Sequence, residues 1–296
     1  ITQSLTTQYT LCPRFGHTLF FEYELKNPFG SEERFNIVFD DPELRVVTSS
    51  DEWMYLRRRV APAVGSVGEW PIEHDMIDGD GSKGSCYQIC LQPNERVSVP
   101  FTMLSIDPQN RDGSKGERNL NVQFVSATHG HCTSVLELKI KPKPMIIDRN
   151  FRFFQSEGEI LKRTVQLLGG GVDERLHDYE SDDINGGGDG GHKYVHCVEM
   201  NSNRVVVDWR GSAQPGSPQE VMIKYRCGKF PSLGEFYIIV YDDHFQGVVH
   251  ECWYVVVQSR LRLDVHASVG QSTSSELVIQ GDKFIAKTVN ATVSFQ

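Results

Sequence analysis

Three short stretches of this 296-residue chain gather side chains capable of chemistry. His129-Gly130-His131-Cys132 offers two imidazoles and a thiol, the donor types that hold zinc. Ligands so close in sequence rarely reach one tetrahedral ion without a further group, so a hairpin tip is the expected state. A metal-dependent hydrolase would need His192, His196 or Cys252 to complete the set. Asp242-Asp243-His244 is the carboxylate and imidazole half of a hydrolytic set, but no serine or cysteine in a nucleophile-elbow context accompanies it. It reads as a turn between two strands. Asp78-Gly79-Asp80-Gly81-Ser82 opens like a calcium loop, yet Ile89 stands where the chemistry requires a glutamate. Its DGSKG portion recurs at Asp112 to Gly116, as a plain turn sequence would. No catalytic residue, cofactor-binding residue or metal ligand is assigned, and the chain is expected to be no enzyme.

The remaining candidates are surfaces. Ser49 and Glu52 form a capping-box pattern ahead of Trp53, Leu56 and Arg57 at helical spacing, which predicts a short helix to about Arg59. Arg57, Arg58 and Arg59 at its end read first as a solvated face that complements the helix dipole, and second as a phosphate or lipid site. Trp53 with Arg57, Arg58 and Arg59, then Trp70, then Phe151, Phe153 and Phe154, are the candidate contacts with partners or between modules.

Charge and composition narrow the classes. A net charge of -9, with no sustained basic run, argues against nucleic acid. No apolar run reaches the roughly 18 residues of a membrane span, and Ile1 opens onto a polar segment with no leader-like sequence. Seven cysteines without a CxxC pair fit reduced intracellular thiols better than a disulfide framework. Asn290-Ala291-Thr292 is a glycosylation sequon by form alone. The segment 169–192 is rich in glycine and aspartate and carries seven acidic residues against Arg175; it reads as a loop that cannot bury enough to order.

The elements that must position these residues are strands. Leu19, Phe21, Tyr23 and Leu25 alternate with polar neighbours, as do Phe35 and Ile37, then Val97 to Met103, Leu120 to Phe124 and Leu136 to Ile140. About seven short strands make a sandwich. Pro100 lacks a donor, so its strand is expected at an edge or a bulge. From Val60 to Ser85 no period survives, and a loop carrying Trp70 is expected.

A second set of strands runs from Val195 to Val257. Within it, Phe236 to Tyr241 and Trp253 to Val257 are apolar at every position. Such strands need cover on both faces, from a facing sheet and from a neighbouring module or partner. Met145 to Val165, crowded with Ile147, Phe151, Phe153 and Phe154, reads as a connector whose aromatic side chains wedge between the modules. Ser156 and Glu159 repeat the capping-box pattern there and predict a helical turn. The organisation expected is all-β: a first module over 1–143, a second over 144–259 with the insertion at 169–192, and the start of a third at 260–296.

Several stretches, in one order along nearly the whole chain, resemble the nephrocystin-4 family. They are Phe21-Glu22-Tyr23 with Leu25-Lys26-Asn27-Pro28, Asp41-Pro42-Glu43-Leu44, Glu52-Trp53, Phe151-Arg152-Phe153-Phe154 with Leu161-Lys162-Arg163, Phe236 to Tyr241 with Asp243, Trp253 with Val255, and Arg262 to Val265 with Val269-Gly270-Gln271. The insertion and the loop at 60–85 depart from the pattern. The resemblance implies tandem immunoglobulin-like, major-sperm-protein-like β sandwiches and a non-enzymatic scaffold of the ciliary transition zone and basal body. It implies nephrocystin-1 and a retinitis-pigmentosa-GTPase-regulator-interacting-type protein as partners, with no small-molecule substrate or cofactor. The alternative from another class is a carbohydrate- or lipid-binding β sandwich.

Overall fold

A computed structural model describes residues 5–59, 76–79, 87–107, 116–167, 193–199, 204–210 and 219–260. Trp70, residues 112–115 of the second DGSKG turn, the acidic insertion and the strands expected after Arg260 lie outside them.

The chain up to Ile140 forms two sheets. One has the order β1-β9-β8-β3-β6-β5, from Leu5–Leu11, Cys132–Ile140, Arg118–Ser126, Glu33–Val38, Tyr87–Leu91 and Ile77–Asp78. The other is β2-β7-β4, from Thr18–Lys26, Arg96–Leu104 and Leu44–Val46. The alternating side chains meet between them: Tyr23, Leu25, Phe35, Ile37, Val99, Phe101, Val122, Phe124, Leu136 and Leu138 share one buried core. β1 pairs parallel with β9, Leu5 opposite Ser134 to Leu11 opposite Ile140. Its alternation is weak because Thr7 and Tyr9 are only half-buried, and no strand was expected there. β5 likewise lies inside the stretch read as loop.

Pro100 is not on an edge strand: β7 is the middle strand of its sheet. The missing donor is accommodated differently. β4 pairs with β7 only from Leu44 opposite Met103 to Val46 opposite Phe101. Val47 N–H then donates to the Pro100 carbonyl at 3.0 Å, and the ladder stops where proline has no N–H to return.

The helix α1 (Ser50–Arg59) starts as expected, with Glu52 N–H facing the Ser49 hydroxyl at 3.4 Å. Trp53 and Leu56 bury against Phe20 and Val47, so β2 is covered on both faces at Phe20.

The chain from Arg149 repeats the plan. β10 (Arg149–Ser156), β16 (Val249–Arg260), β15 (Leu233–Tyr241) and β12 (Tyr194–Glu199) form one sheet in that order, and β11 (Ile160–Gln166), β14 (Glu220–Arg226) and β13 (Val205–Arg210) the other. Again the first strand pairs parallel with the last, Phe153 opposite Val257. The fold is all-β, with strands in stacked antiparallel sheets closed by a parallel first-to-last pair.

The aromatic run is therefore not a connector. Phe151 and Phe153 lie on the inward side of β10 and pack on the core of Ile223, Ile238, Trp253 and Val255. Their spacing of two is that of a strand with one buried face. Nor does Ser156 start a helical turn: Glu159 N–H donates to the Ser156 carbonyl at 3.3 Å, and Gly158 takes φ 72° in a tight turn from β10 to β11.

Candidate functional site

The doubly apolar strands identify the site. Phe236, Ile238 and Val240 point into the core of their own sandwich, while Tyr237, Ile239 and Tyr241 point the other way and are equally buried. What covers them is the first module. Phe15 sets its ring edge-on to Tyr237, centroids 5.1 Å apart. Tyr241 donates its hydroxyl to the Gly16 carbonyl at 2.8 Å. Gly16 takes φ 77°, and a Cβ there would stand 2.9 Å from Ile239 Cδ1. This backbone favours glycine, and a larger residue would crowd the end of the Ile239 side chain. Met145, Ile147 and Ile106 fill the margin of the same cluster.

Hydrogen bonds hold the connector between β9 and β10 at both ends. Lys141 N–H donates to Leu11 O and Lys143 N–H to Pro13 O, each at 2.8 Å. Asp148 and Cys252 exchange a further pair: Asp148 N–H to Cys252 O at 2.8 Å and Cys252 N–H to Asp148 Oδ2 at 2.7 Å. Burial and the Asp148 carboxylate push the Cys252 thiol up to about 12, so it is a protonated packing group and not a nucleophile. Burial, with Cys252 and Asp243 nearby, likewise raises the Tyr241 phenol, which stays a hydrogen-bond donor.

Asp242, Asp243 and His244 sit in the turn after β15 that completes the junction. Asp243 accepts from Gly247 N–H at 3.0 Å and Val248 N–H at 2.7 Å, shaping the turn. Asp242 pairs with Lys193 and with His250 Nδ1 at 3.2 Å. Burial opposes its ionisation, but the hydrogen bonds from His250 and Lys193 win and hold its carboxyl below the ordinary range. The turn reaches the first module through Thr18 Oγ1, which donates to Gln246 O at 2.6 Å, and through Phe245 beside the Tyr55 ring at 5.4 Å. A cleft of about 710 Å³ runs along this contact. Along its wall Arg45 pairs with Glu52, and Arg118 with Asp41 and Glu43.

The other sequence candidates are scattered. Trp53 is 3% exposed, with its indole N–H donated to Glu22 at 2.5 Å, so it faces the first module and not solvent. Arg57 pairs with the same carboxylate at 2.7 Å and lies 5.0 Å from the Trp53 ring. Arg58 is exposed. The side chain of Arg59 and all of Trp70 fall outside the described residues. Phe154 is 40% exposed beneath Arg260, 4.3 Å from its ring.

His129 and His131 pack against Phe29, with ring centroids 4.7 and 6.0 Å away, and His129 Nε2 lies 3.8 Å from the buried Glu33. Cys132 turns its thiol to Ser134 O. Among the described residues no group of three or more His, Cys, Asp and Glu side chains is placed to hold a metal ion. No described helix is long and apolar enough to cross a membrane.

The repeat of one sandwich plan agrees with the matches to known families. NPH4 Ig-like domain 1 matches residues 7–142 and NPH4 Ig-like domain 2 matches residues 151–258. The chain belongs to the nephrocystin-4 family. Human nephrocystin-4 is 27% identical over 306 residues, covering 96% of this chain and 20% of the relative. Nephrocystin-4 of Xenopus laevis is 27% identical over 308 residues, covering 97% and 20%. The chain thus spans about a fifth of the length of these relatives. Among solved structures, the chicken VE-cadherin EC1-2 pair covers 86% of the chain and 97% of its own at 12% identity, with a TM-score of 0.22 too low to argue from.

The residues between the two nephrocystin-4 family matches, 143–150, hold most of the hydrogen-bonded connector and the first two residues of β10. Double-sided apolarity in β15 and β16 signalled a second cover. Nothing in Cys12-Pro13-Arg14-Phe15-Gly16 marked it as the docking loop, because one phenylalanine beside one glycine has no period to read.

Proposed function

We propose that this segment is a rigid, non-enzymatic spacer within a ciliary scaffold of the transition zone and basal body, presenting partner-binding surfaces at a set angle. The modules assigned are 1–143 and 144–259, with 260–296 opening a third. One observation carries the reading: Tyr237, Ile239 and Tyr241 are buried by Phe15 and Gly16, so each module completes the other's packing. A scaffold needs that fixity, whereas a hydrolase would need converging polar groups in a cleft. The partners proposed are other transition-zone proteins, nephrocystin-1 and the retinitis-pigmentosa-GTPase-regulator-interacting-type protein among them. Among the described residues, Arg58 and Phe154, both open to solvent, are the sequence candidates left to meet them.

The test is a pull-down from ciliated cells with each module alone, with the pair, and with a pair opened at the junction. The intact pair retaining transition-zone proteins that the opened pair loses is the expected result. Equal recovery by single modules would remove the spacer reading.

A further inference from the structure

The outer face of the β11-β14-β13 sheet is unlike the rest of this acidic chain. Across its three strands Lys162, Lys224 and Val206 stand in one row, and Ile160 and Arg226 stand in the next. Lys162 and Lys224 are register partners, which places like charges about 5 Å apart at Cβ and destabilises the sheet on its own. Among the described residues no carboxylate forms an ion pair with Lys162, Lys224 or Arg226. The nearest acidic position on this face, Asp208, belongs to the row of Thr164 and Met222, and no ion pair under 4.0 Å forms from it either.

Edge protection accounts for Lys162, since a charged edge strand resists pairing with other chains. It does not account for Lys224 or Arg226, which lie on the central strand of the sheet. The apolar members are open as well: Val206 is 62% and Ile160 54% exposed.

We propose that this face docks an extended acidic segment of a partner protein, with carboxylates at alternate positions facing the sheet. Charge complementarity selects the partner. Three cations sit together on a chain of net charge -9, at the spacing of neighbouring strands and of two residues along β14. Carboxylates at i and i+2 of an extended segment, about 7 Å apart, match Lys224 and Arg226. The residue between them turns away from the sheet, so the contact is carried by the alternate carboxylates. A bilayer or a nucleic acid offers continuous negative charge, which the acidic remainder of the chain opposes. The proposal rests on reading the chain as an interaction segment, and it names the partner chemistry of one surface.

The experiment titrates a labelled alternating Glu-Val peptide into the whole chain by fluorescence anisotropy, with a Lys-Val peptide and phosphatidylserine vesicles as controls. The acidic peptide alone is expected to bind, weakening as salt rises from about 50 to about 300 mM. Lys162→Glu with Lys224→Glu is expected to weaken it at least about tenfold, a change of about 1.4 kcal/mol. Lys162→Arg with Lys224→Arg is expected to preserve binding. Circular dichroism confirms that each variant is folded, and Lys162→Gln with Lys224→Gln replaces the charge reversal if that variant is not. Equal binding of both peptides, binding unmoved by the substitutions, or binding of vesicles in place of the peptide would each overturn the assignment. If the charge-reversed chain still recovers every transition-zone partner from cells, this face is wrong while the spacer reading stands.

Discussion

The two outer faces of the second sandwich follow opposite rules. On β15 and β16, Tyr237, Ile239, Tyr241 and Cys252 face away from their own core and are still buried, because Phe15 and the turn at Gly16 close over them. On β11, β14 and β13 the outward row is Lys162, Lys224 and Val206, and it stays open. A sheet has two faces, and this module commits one to its neighbour and leaves the other to solvent. The difference is written in side chains. Apolar residues at consecutive positions demand a second cover, whereas alternation of apolar with charged residues declines it.

A buried charge breaks that comparison most directly. Ile239 is fully buried at the junction, so Ile239→Asp is expected to cost about 4 kcal/mol if the modules stay docked. Undocking solvates the carboxylate at lower cost. The variant is therefore expected to open, with a larger radius of gyration by small-angle scattering and two urea transitions in place of one. Val206→Asp, the same chemistry on the open face, is expected to shift stability by less than about 0.5 kcal/mol. Equal effects at the two positions would end the distinction between the faces.

The next effect separates the core from the junction. Phe153 packs on the second module's own core, with Phe151 stacked beside it at 6.0 Å. Phe153→Asp is expected to destabilise that module by about 3 kcal/mol and leave the docking angle of the folded fraction unchanged. Denaturation followed by tryptophan fluorescence measures the first outcome, because Trp253 lies in the same core. Scattering below the transition measures the second. An opened but fully stable Phe153→Asp protein would restore the aromatic run to the role of a wedge.

A smaller effect tests the approach of the two backbones. Gly16→Ala puts a methyl group 2.9 Å from Ile239 Cδ1 at a φ of 77°. It is expected to cost about 1–2 kcal/mol, because left-handed backbone and crowding add. The loss appears as a lower Tm and faster proteolysis at the connector. Gly130→Ala, also at positive φ (67°) but with open space around it, carries the backbone cost alone. The difference between the two is the packing of the junction.

How much of this was legible depends on whether a residue's partner lies nearby in sequence. Ser49-x-x-Glu52 and Ser156-x-x-Glu159 show the same signature, yet one starts a helix and the other makes a turn between sheets. Their continuations decide it. Trp53 and Leu56 fall three apart and bury together, whereas Leu161 and Val165 lie in a strand reached through Gly158 at positive φ. The strands with clean alternation, such as β8 and β9, were readable because each has one wet face. β1 was not, because its burial comes from parallel pairing with β9, more than 120 residues away, as the Ser134 hydroxyl bonded to Leu5 O shows. At the junction, one half was readable from Tyr237 to Tyr241. The other half, Phe15 and Gly16, has meaning only once the second module is in place.

The smallest effect belongs to the polar rim of the junction, and pH exposes it. Burial resists ionisation of Asp242, but His250 and Lys193 hold its carboxyl below the ordinary value. A group with a depressed folded pKa contributes stability above its unfolded pKa, about 3.9, and that contribution disappears as pH falls through the lower folded value. The wild-type chain is therefore expected to lose a little junction stability below about pH 4 beyond the general acid loss. Asp242 is 31% exposed, so solvent screens the pair and the contribution is expected to be under about 1 kcal/mol. Asp242→Asn removes the titration. Its stability is expected to be lower than wild type at pH 7 and to converge on wild type as the solution is acidified. Convergence is the informative part, because a purely steric role for the side chain would leave the gap constant across the range, whereas an ion pair makes it close with the proton that neutralises the carboxylate.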